Sequence, residues 1–270
     1  MKFKIDGQTA YAYTGGREFD PQRPCIIFVH GALHDHSVWT LTARWFAHHG
    51  YSVLAMDQPG HMRSLGAPLE SVEAIGQWLI KLMDAAQVSQ ATLVGHSMGS
   101  LIALETAAQA PERVKRLVMV GTAFPMAVAP AVLQGALTEI DETMAMINAY
   151  SISTWSAKPS YPGPGAWLHG GNLALMRRVL ASNPGTNLFH HDFRLCNEYA
   201  RAMEAAQSVV APAHLILGER DQMTPPKAAK ALAQALKASV HTLPCGHGVM
   251  NEDPEGFLRV MRQLTAPAAG

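Results

Sequence analysis

The sequence has little charge, and the charge that it has is balanced. Charged residues make up 16% of the 270 residues, and 21 Lys and Arg offset 21 Asp and Glu, giving a formal net charge of +0. No basic surplus therefore favours nucleic acid or an anionic membrane as a partner. With 48% hydrophobic residues, the chain can bury one large core. The composition predicts a globular protein and argues against nucleic-acid binding.

Long apolar runs and cysteine pairs are also missing. Residues 1–7 lack the apolar stretch of a secretory signal, and nowhere do eighteen apolar residues follow one another without a charge or a breaker. We therefore expect a cytoplasmic protein without a membrane partner. Cys25, Cys196 and Cys245 are odd in number and lack CxxC spacing, which predicts neither a disulfide framework nor a thiolate zinc site. We interpret them as small buried hydrophobes.

Short apolar segments alternate with helical patterns along most of the chain. The turn pair Asp6-Gly7 predicts an N-terminal β-hairpin. Apolar runs too short for buried helices predict further strands, and three- and four-residue apolar spacing predicts helices, one of them capped by Ser71. The predicted strands are 2–6, 9–13, 25–29, 51–56, 91–94, 117–120, 214–217 and 239–243, and the clearest helices are 71–87 and 254–264. This alternation predicts a mostly parallel sheet flanked by helices.

Residues 124–210 interrupt the alternation. Segments 133–149 and 173–181 have helical patterns, residues 161–165 read Tyr-Pro-Gly-Pro-Gly, and no buried strand is evident. We predict a core domain made of residues 1–123 and 211–270, with 124–210 inserted as a helical cap. The alternative is a plain run of connecting helices without a gating role.

The sharpest local motif is Gly95-His96-Ser97-Met98-Gly99, between a predicted strand and an apolar helix. A serine on such a tight turn has a strained backbone that only small neighbours tolerate, and its hydroxyl is lifted above the sheet. Ser97 is therefore the candidate nucleophile. By itself a serine between two glycines is more often structural. The support for a catalytic role of Ser97 therefore comes from the other motifs.

Two backbone amides are candidates for stabilising a developing oxyanion. The Met98 amide lies at a predicted helix start, where unpaired N–H groups and the helix dipole favour negative charge. A second donor is the Ala32 amide, in the loop after the first long strand, where Gly31 lets the backbone bend. Ala32 and Met98 together predict an oxyanion hole.

A serine hydroxyl needs a neighbouring base. His247 lies in a glycine-bracketed loop after the last predicted strand, at the same carboxyl edge of the sheet as Ser97. A histidine base works best when a carboxylate holds its other ring nitrogen. Asp221, just beyond the end of another strand, fits this role, and Glu219 is the competing carboxylate. The predicted triad is Ser97, Asp221 and His247.

With these motifs assembled, the chain resembles the α/β-hydrolase superfamily, whose triad occurs in the chain order serine, acid, histidine. The similarity covers nearly the whole length. It rests on five ordered motifs: His30-Gly31-Ala32-Leu33 with Trp39, Asp57-Gln58-Pro59-Gly60-His61-Met62-Arg63-Ser64, Gly95 to Gly99, Gly218 to Asp221, and Gly246-His247 followed by Glu252 and Pro254. The resemblance implies an α/β-hydrolase fold with a cap, and an enzyme that needs no cofactor or metal.

The resemblance also narrows the chemistry. Serine at 97 argues against the epoxide hydrolase and haloalkane dehalogenase branches, which place aspartate there, and Gly248 stands where many carbon-carbon bond hydrolases have tryptophan. Met62 and Ser100 replace glycines that are frequent in the family. The leading hypothesis is a carboxylesterase acting on a small molecule with an apolar portion. Alternatives are a lactonase, a thioesterase, a carbon-carbon hydrolase, a cofactor-free perhydrolase, or a small-molecule receptor with an idle triad.

Other residues have competing interpretations. His30, His34, Asp35 and His36 offer ligand types found at zinc sites, although the resemblance assigns His30-Gly31 to shaping the oxyanion loop. The pairs His48-His49 and His190-His191 are interpreted as solvated. Apolar cap residues are predicted either to line a substrate pocket or to pack between helices; they are Met126, Met144, Met146, Trp155, Trp167 and Met176.

Overall fold

The computed structural model describes residues 1–153 and 167–266. Its centre is an eight-stranded sheet in the order β1-β2-β4-β3-β5-β6-β7-β8. The strands β1 and β2 form the predicted antiparallel hairpin, and β3 to β8 are parallel to one another. Their bounds are Lys2–Ile5, Gln8–Tyr13, Cys25–Val29, Ser52–Met56, Ala91–His96, Val114–Val120, Ala213–Gly218 and Ser239–Leu243. All the predicted strands are confirmed, with small shifts at their ends.

Helices cover both faces of the sheet. The helices α1 (Thr40–Ala47) and α11 (Pro254–Thr265) pack one face through a cluster that includes Trp39, Phe46 and Phe257. The other face is covered by α2, α3, α8 and α9, whose bounds are Val72–Ala85, Met98–Gln109, Ala202–Ser208 and Lys230–Ala235. The short α10 (Val249–Glu252) precedes α11. The Ser71 cap is confirmed, because its side chain accepts the Ala74 N–H.

The α/β-hydrolase fold predicted from the motifs is therefore the observed one. Parallel strands β3 to β7 are fully or largely buried, as strands covered on both faces must be. Their carboxyl ends lie along one edge, and the loops that follow them carry the candidate site residues. None of the described helices is both long enough and apolar enough to cross a lipid bilayer.

Between β6 and β7 the chain forms α4 (Pro130–Thr138), α5 (Ile140–Ser151), α6 (Leu168–Ala181) and α7 (Leu188–Glu198), here called the inserted helices. The predicted helical stretch over 133–149 is helical but divided into two helices, because the chain breaks at Glu139, whose φ of −138° and ψ of 56° are not helical. The two helices then meet closely where Gly135 faces Thr143. The predicted helix 173–181 begins earlier, at Leu168, and the 161–165 loop lies outside the described residues.

The inserted helices have a core of their own. It includes Met144, Val179, Leu188 and Phe189, and one further member, Leu33, comes from the loop after β3. The following helix, α8, instead packs in the main core beside α3. The inserted helices therefore contact the core domain at the carboxyl edge of the sheet, where the site is located.

Candidate active site

Ser97 lies on a sharp turn between β5 and α3. Its φ of 52° is in the left-handed region, which non-glycine residues rarely adopt. A Cβ at Gly95 would lie 2.0 Å from the Gly99 carbonyl oxygen, and a Cβ at Gly99 would lie 2.4 Å from the His30 carbonyl oxygen. Only glycine therefore fits at either position, and the strained turn is enforced by its surroundings.

Ser100, one of the departures from the family pattern, contacts this turn. Its hydroxyl lies 2.6 Å from the Ser97 carbonyl oxygen and 2.8 Å from the Thr122 hydroxyl. The Ser97 N–H donates to Val120 of β6 at 2.9 Å. The N–H and the carbonyl oxygen of Ser97 are therefore both hydrogen-bonded, the carbonyl oxygen by Ser100.

His247 lies in the loop after β8, as predicted. Its imidazole packs on Gly121, where an added Cβ would lie 3.3 Å from Cε1 and from Nδ1. The buried His96 ring donates from Nε2 to the His247 carbonyl oxygen at 2.9 Å. The loop is thus attached to the residue that precedes Ser97.

Asp221 and His247 are hydrogen-bonded. Nδ1 of His247 donates to Oδ2 of Asp221 at 2.8 Å, and the Thr224 hydroxyl donates to the same oxygen at 2.7 Å. Oδ1 accepts the backbone N–H groups of Met223 and Thr224, both at 2.8 Å. Glu219, the competing carboxylate, is exposed. The Asp221 carboxylate is therefore held by hydrogen bonds from its own loop and from one side-chain base, His247.

The electrostatics keep Asp221 ionised. Burial alone would raise its pKa, but the His247 imidazole and the hydrogen bonds from His247 and Thr224 outweigh burial and hold the pKa well below its usual range. A permanent carboxylate fixes the proton on Nδ1 of His247. Nε2 is then left as the basic nitrogen, as a general base requires.

Thr224 was not predicted from the sequence. Its hydroxyl lies 3.0 Å from Nδ1 of His247 as well as within hydrogen-bond distance of Asp221. The signal that could have found it is its place three residues after a candidate acid, where a turn brings a side chain back to the carboxylate.

The loop after β3 lies against the turn that carries Ser97. A Cβ added to Gly31 would lie 3.1 Å from Cβ of Ser97, so the backbone approaches the serine closely. Ala32 follows and lines the same cavity as Ser97. Met98 is the first residue of α3, with Ser97 as its N-cap. Both candidate oxyanion donors are thus placed beside the serine.

Ser97, Ala32 and His247 line the same cavity, which has a volume of about 410 Å³. Thr224 also lines this cavity, and the inserted helices supply much of the remaining wall. That wall is largely apolar, with Met126, Val128, Val132, Met146, Ile147, Tyr150, Met176, Phe193 and Met223 among its residues. A concave, apolar space with a few convergent polar groups is typical of small-molecule sites.

The described residues that line the cavity include no Asp, Glu, Lys or Arg. Burial lowers the pKa of His34, and it lowers the pKa of His96 strongly, with neighbouring imidazoles lowering each further. Both rings are therefore neutral near pH 7. The wall formed by the described residues carries no permanent charge.

The apolar cap residues divide between the two predicted roles. Met126, Met146 and Met176 line the cavity, whereas Met144 is fully buried in the core of the inserted helices. Trp167 is 63% exposed, and Trp155 lies outside the described residues. Cys196, one of the three buried cysteines, also lines the cavity.

The remaining histidines have separate surroundings. His30 contacts Gln58, His34 contacts Asn172, and His36 contacts Asp57. No group of three or more metal-binding side chains is assembled in the described part of the chain. His48 and His49 are exposed.

The interpretation of His191 as solvated is wrong. Its side chain is buried, with Nδ1 3.0 Å from Asp192 and Nε2 3.1 Å from the Leu69 carbonyl oxygen. The partner Leu69 is more than a hundred positions away in the chain. Local spacing on a helix could not reveal this contact.

The family model for the alpha/beta hydrolase fold matches residues 24–254. The chain belongs to this family. A 2-hydroxymuconate semialdehyde hydrolase from Pseudomonas sp. (strain CF600) is 27% identical over 203 residues, covering 70% of this chain and 66% of the relative. The esterase YbfF of Escherichia coli K12 is 29% identical over 153 residues, covering 57% of this chain and 54% of the esterase.

The curated relatives match only in part. The matched part of this chain spans 33%, 43% and 36% of the length of three other curated relatives. Among solved structures, the enol-lactonase from Burkholderia xenovorans LB400 superposes with a TM-score of 0.81 at 21% identity, over 98% of this chain and 100% of the lactonase. The family match and these relatives support a hydrolase, and the structural likeness shows a shared fold.

Proposed function

We propose that the protein is a carboxylesterase-like serine hydrolase that cleaves a small ester through an acyl-enzyme on Ser97. The proposal rests on the Asp221–His247 hydrogen bond and on one apolar cavity that is lined both by His247 and by Ser97, the serine on the strained turn. A buried carboxylate that holds an imidazole has the geometry needed to activate a serine.

The reaction is a two-step acyl transfer. His247 takes the proton of Ser97 as its oxygen attacks the carbonyl carbon, and the Ala32 and Met98 N–H groups stabilise the oxyanion. His247 then gives the proton to the leaving alcohol. In the second step water attacks the acyl-enzyme with His247 as base, which releases the acid and restores Ser97.

The cavity favours a neutral substrate with an apolar part. Its described wall carries no permanent charge and is rich in methionine and aliphatic side chains, which adapt to acyl chains. The inserted helices supply much of this wall. We therefore propose that, within the predicted cap 124–210, the inserted helices shape the substrate site of a core made of 1–123 and 211–270, while α8 packs with that core.

A substrate panel tests the proposal. Nitrophenyl esters from acetate to decanoate, lactones and acyl thioesters are assayed with the wild type, with Ser97→Ala, and with Ser89→Ala, an exposed serine before β5, as the matched control. The expected result is ester turnover that Ser97→Ala abolishes and Ser89→Ala retains. Preference for lactones or thioesters would revise the substrate class, and tight ligand binding without any turnover would favour a receptor. Turnover that survives in Ser97→Ala would refute the mechanism.

A further inference from the structure

Asp192, on the inserted helix α7, is a fully buried carboxylate with partners on two other segments of the chain and one partner, His191, on α7 itself. Oδ2 accepts the backbone N–H of Leu33 at 2.9 Å and lies 3.1 Å from Nε2 of His61. Oδ1 lies 3.0 Å from Nδ1 of His191, and Nε2 of that ring faces the Leu69 carbonyl oxygen. The buried carboxylate of Asp192, on an inserted helix, thus binds the loop after β3.

Leu33 is the residue directly after Ala32. Its φ of 52° is in the left-handed region, which is unfavourable for a branched side chain. Such a conformation persists only where the surroundings hold it. Here the Leu33 side chain is fully buried among the inserted helices, and its N–H is bound by Asp192.

The charge on Asp192 is stabilised from several sides. Burial alone would raise its pKa, but His61 and His191 outweigh burial and hold the pKa far below its usual range. Nδ1 of His61 faces the Pro59 carbonyl oxygen at 3.1 Å, so both ring nitrogens of His61 face acceptors. The other titratable groups near His61 are His30 and Asp57. A hydrogen bond from a backbone N–H to an ionised carboxylate is stronger than one to a neutral acceptor.

Two other contacts attach the insertion to the neighbouring loop 57–64. The Ser182 hydroxyl accepts the N–H of Met62, another residue with positive φ, and the Asn183 side chain donates to the Gly60 carbonyl oxygen. These contacts do not reach the loop after β3.

Other contacts from the inserted helix α6 do reach that loop, beyond Leu33. The Asn172 side chain lies 3.0 Å from Nε2 of His34, and Arg178 pairs with Asp35 at 2.8 Å. Asp192 differs from them in holding a backbone group, the N–H of Leu33, directly after Ala32.

We propose that Asp192 is a positioning residue for the oxyanion loop: by holding the Leu33 N–H it fixes the backbone that presents the Ala32 N–H to the reacting carbonyl. This inference rests on the proposed function, because it takes Ala32 as an oxyanion donor. It makes the insertion a part of the catalytic geometry as well as a wall of the cavity.

Asp192→Asn tests the inference, because it keeps the shape of the side chain and removes the charge. Asp141→Asn is the matched control: Asp141 is also on an inserted helix, but it is exposed and pairs with Arg177. An oxyanion contact stabilises the transition state more than the bound ester. Asp192→Asn should therefore lower kcat about tenfold or more with KM changed less than about twofold, and Asp141→Asn should change neither.

Binding of a trifluoromethyl ketone separates this role from general loosening. The ketone forms a tetrahedral adduct with Ser97, so its affinity should fall by the same factor as kcat/KM in Asp192→Asn. The affinity of the matching alcohol, which forms no oxyanion, should stay within about twofold. Equal losses for both ligands, or unchanged kcat and ketone affinity, would overturn the inference.

Amide hydrogen exchange at Leu33 gives a readout that does not depend on turnover. Exchange should accelerate in Asp192→Asn and not in Asp141→Asn, even if the protein hydrolyses no ester. Unchanged Leu33 exchange would contradict the positioning role, whereas faster exchange in a protein without activity would refute only the proposed function. If Asp192→Asn does not fold, Asp192→Glu keeps the charge but displaces the carboxylate, and a kcat equal to that of the wild type would overturn the inference.

Discussion

Nδ1 of His247 lies 2.8 Å from Oδ2 of Asp221, and the same oxygen accepts the hydroxyl of Thr224 at 2.7 Å. With two backbone N–H groups on Oδ1, the carboxylate is fully hydrogen-bonded and has little freedom to rotate. The imidazole is thereby fixed in the tautomer whose Nε2 is free to accept a proton.

Asp221→Asn should lower kcat by about three orders of magnitude or more, because an amide that donates to Nδ1 favours the wrong imidazole tautomer. Substrate binding in the apolar cavity should change little. The control is Glu219→Gln, the exposed competing carboxylate two positions earlier, which should keep wild-type rates. Steady-state kinetics on a nitrophenyl ester measure both variants. A larger loss of kcat in Glu219→Gln than in Asp221→Asn would mean that Glu219, and not Asp221, is the acid of the triad.

Thr224→Val should lower kcat about tenfold, because it removes the hydroxyl that holds Oδ2 of Asp221 and lies beside Nδ1 of His247. Thr224→Ser retains the hydroxyl and should restore most of the activity. Both variants are compared at equal folded fraction by circular dichroism. If the serine variant is as impaired as the valine variant, packing of the methyl group is responsible and not the hydrogen bond.

Gly95→Ala should destabilise the fold by about 3 kcal/mol or more, since its Cβ would collide with the backbone of Gly99 and Ser100. Gly171→Ala is the opposite case, because that exposed helical glycine has no atom within 4 Å of the added Cβ. It should stabilise the protein by up to about 1 kcal/mol. Urea denaturation measures the free energy of unfolding of both variants. Similar changes at the two glycines would contradict the conclusion that only glycine fits beside the turn at Ser97.

The buried Asp192–His61 pair should stabilise the protein most between about pH 4 and pH 6.5. The Asp192 pKa is lowered from 3.8, so its contribution is present above that pH and is lost as the pH falls further. Burial lowers the His61 pKa, but Asp192 more than compensates and raises it above 6.5, so its contribution is lost as the pH rises through that raised value.

The stability difference between the wild type and Asp192→Asn measures this dependence. It should be about 3 kcal/mol near pH 5.5 and smaller at both ends of the range from pH 3 to pH 8. A difference that stays constant across the whole range would mean that the pair is not ionised in the folded protein.

Much of the fold follows from local patterns. The apolar runs predict the strands, because a strand buried on both faces must be apolar throughout, and Ser71 predicts a helix start through its own hydrogen bond. The break at Glu139 was missed because apolar spacing continues through it. The break brings α4 and α5 into contact where Gly135 faces Thr143, a packing contact that apolar spacing does not show.

For the site, sequence order and strand ends placed Ser97, Asp221 and His247 at one edge of the sheet, and the Asp221–His247 contact is present. Their catalytic roles and those of Ala32 and Met98 stay predictions. The Asp192–Leu33 contact joins residues separated by 159 positions, so no local pattern could reveal it. The burial of His191 was missed for a related reason, since its partner Leu69 is distant in the chain. Thr224 is three residues from Asp221, so local spacing could have found that contact, but its contact with His247 depends on the tertiary structure.

The most direct test of the account is covalent labelling by a fluorophosphonate followed by peptide mass spectrometry. Wild-type protein should gain one adduct, on the peptide that contains Ser97, and His247→Ala should label far more slowly while Ser97→Ala gains none. Labelling at another residue, or equal labelling rates with and without the His247 imidazole, would contradict the assignment of Ser97 as a nucleophile activated by His247.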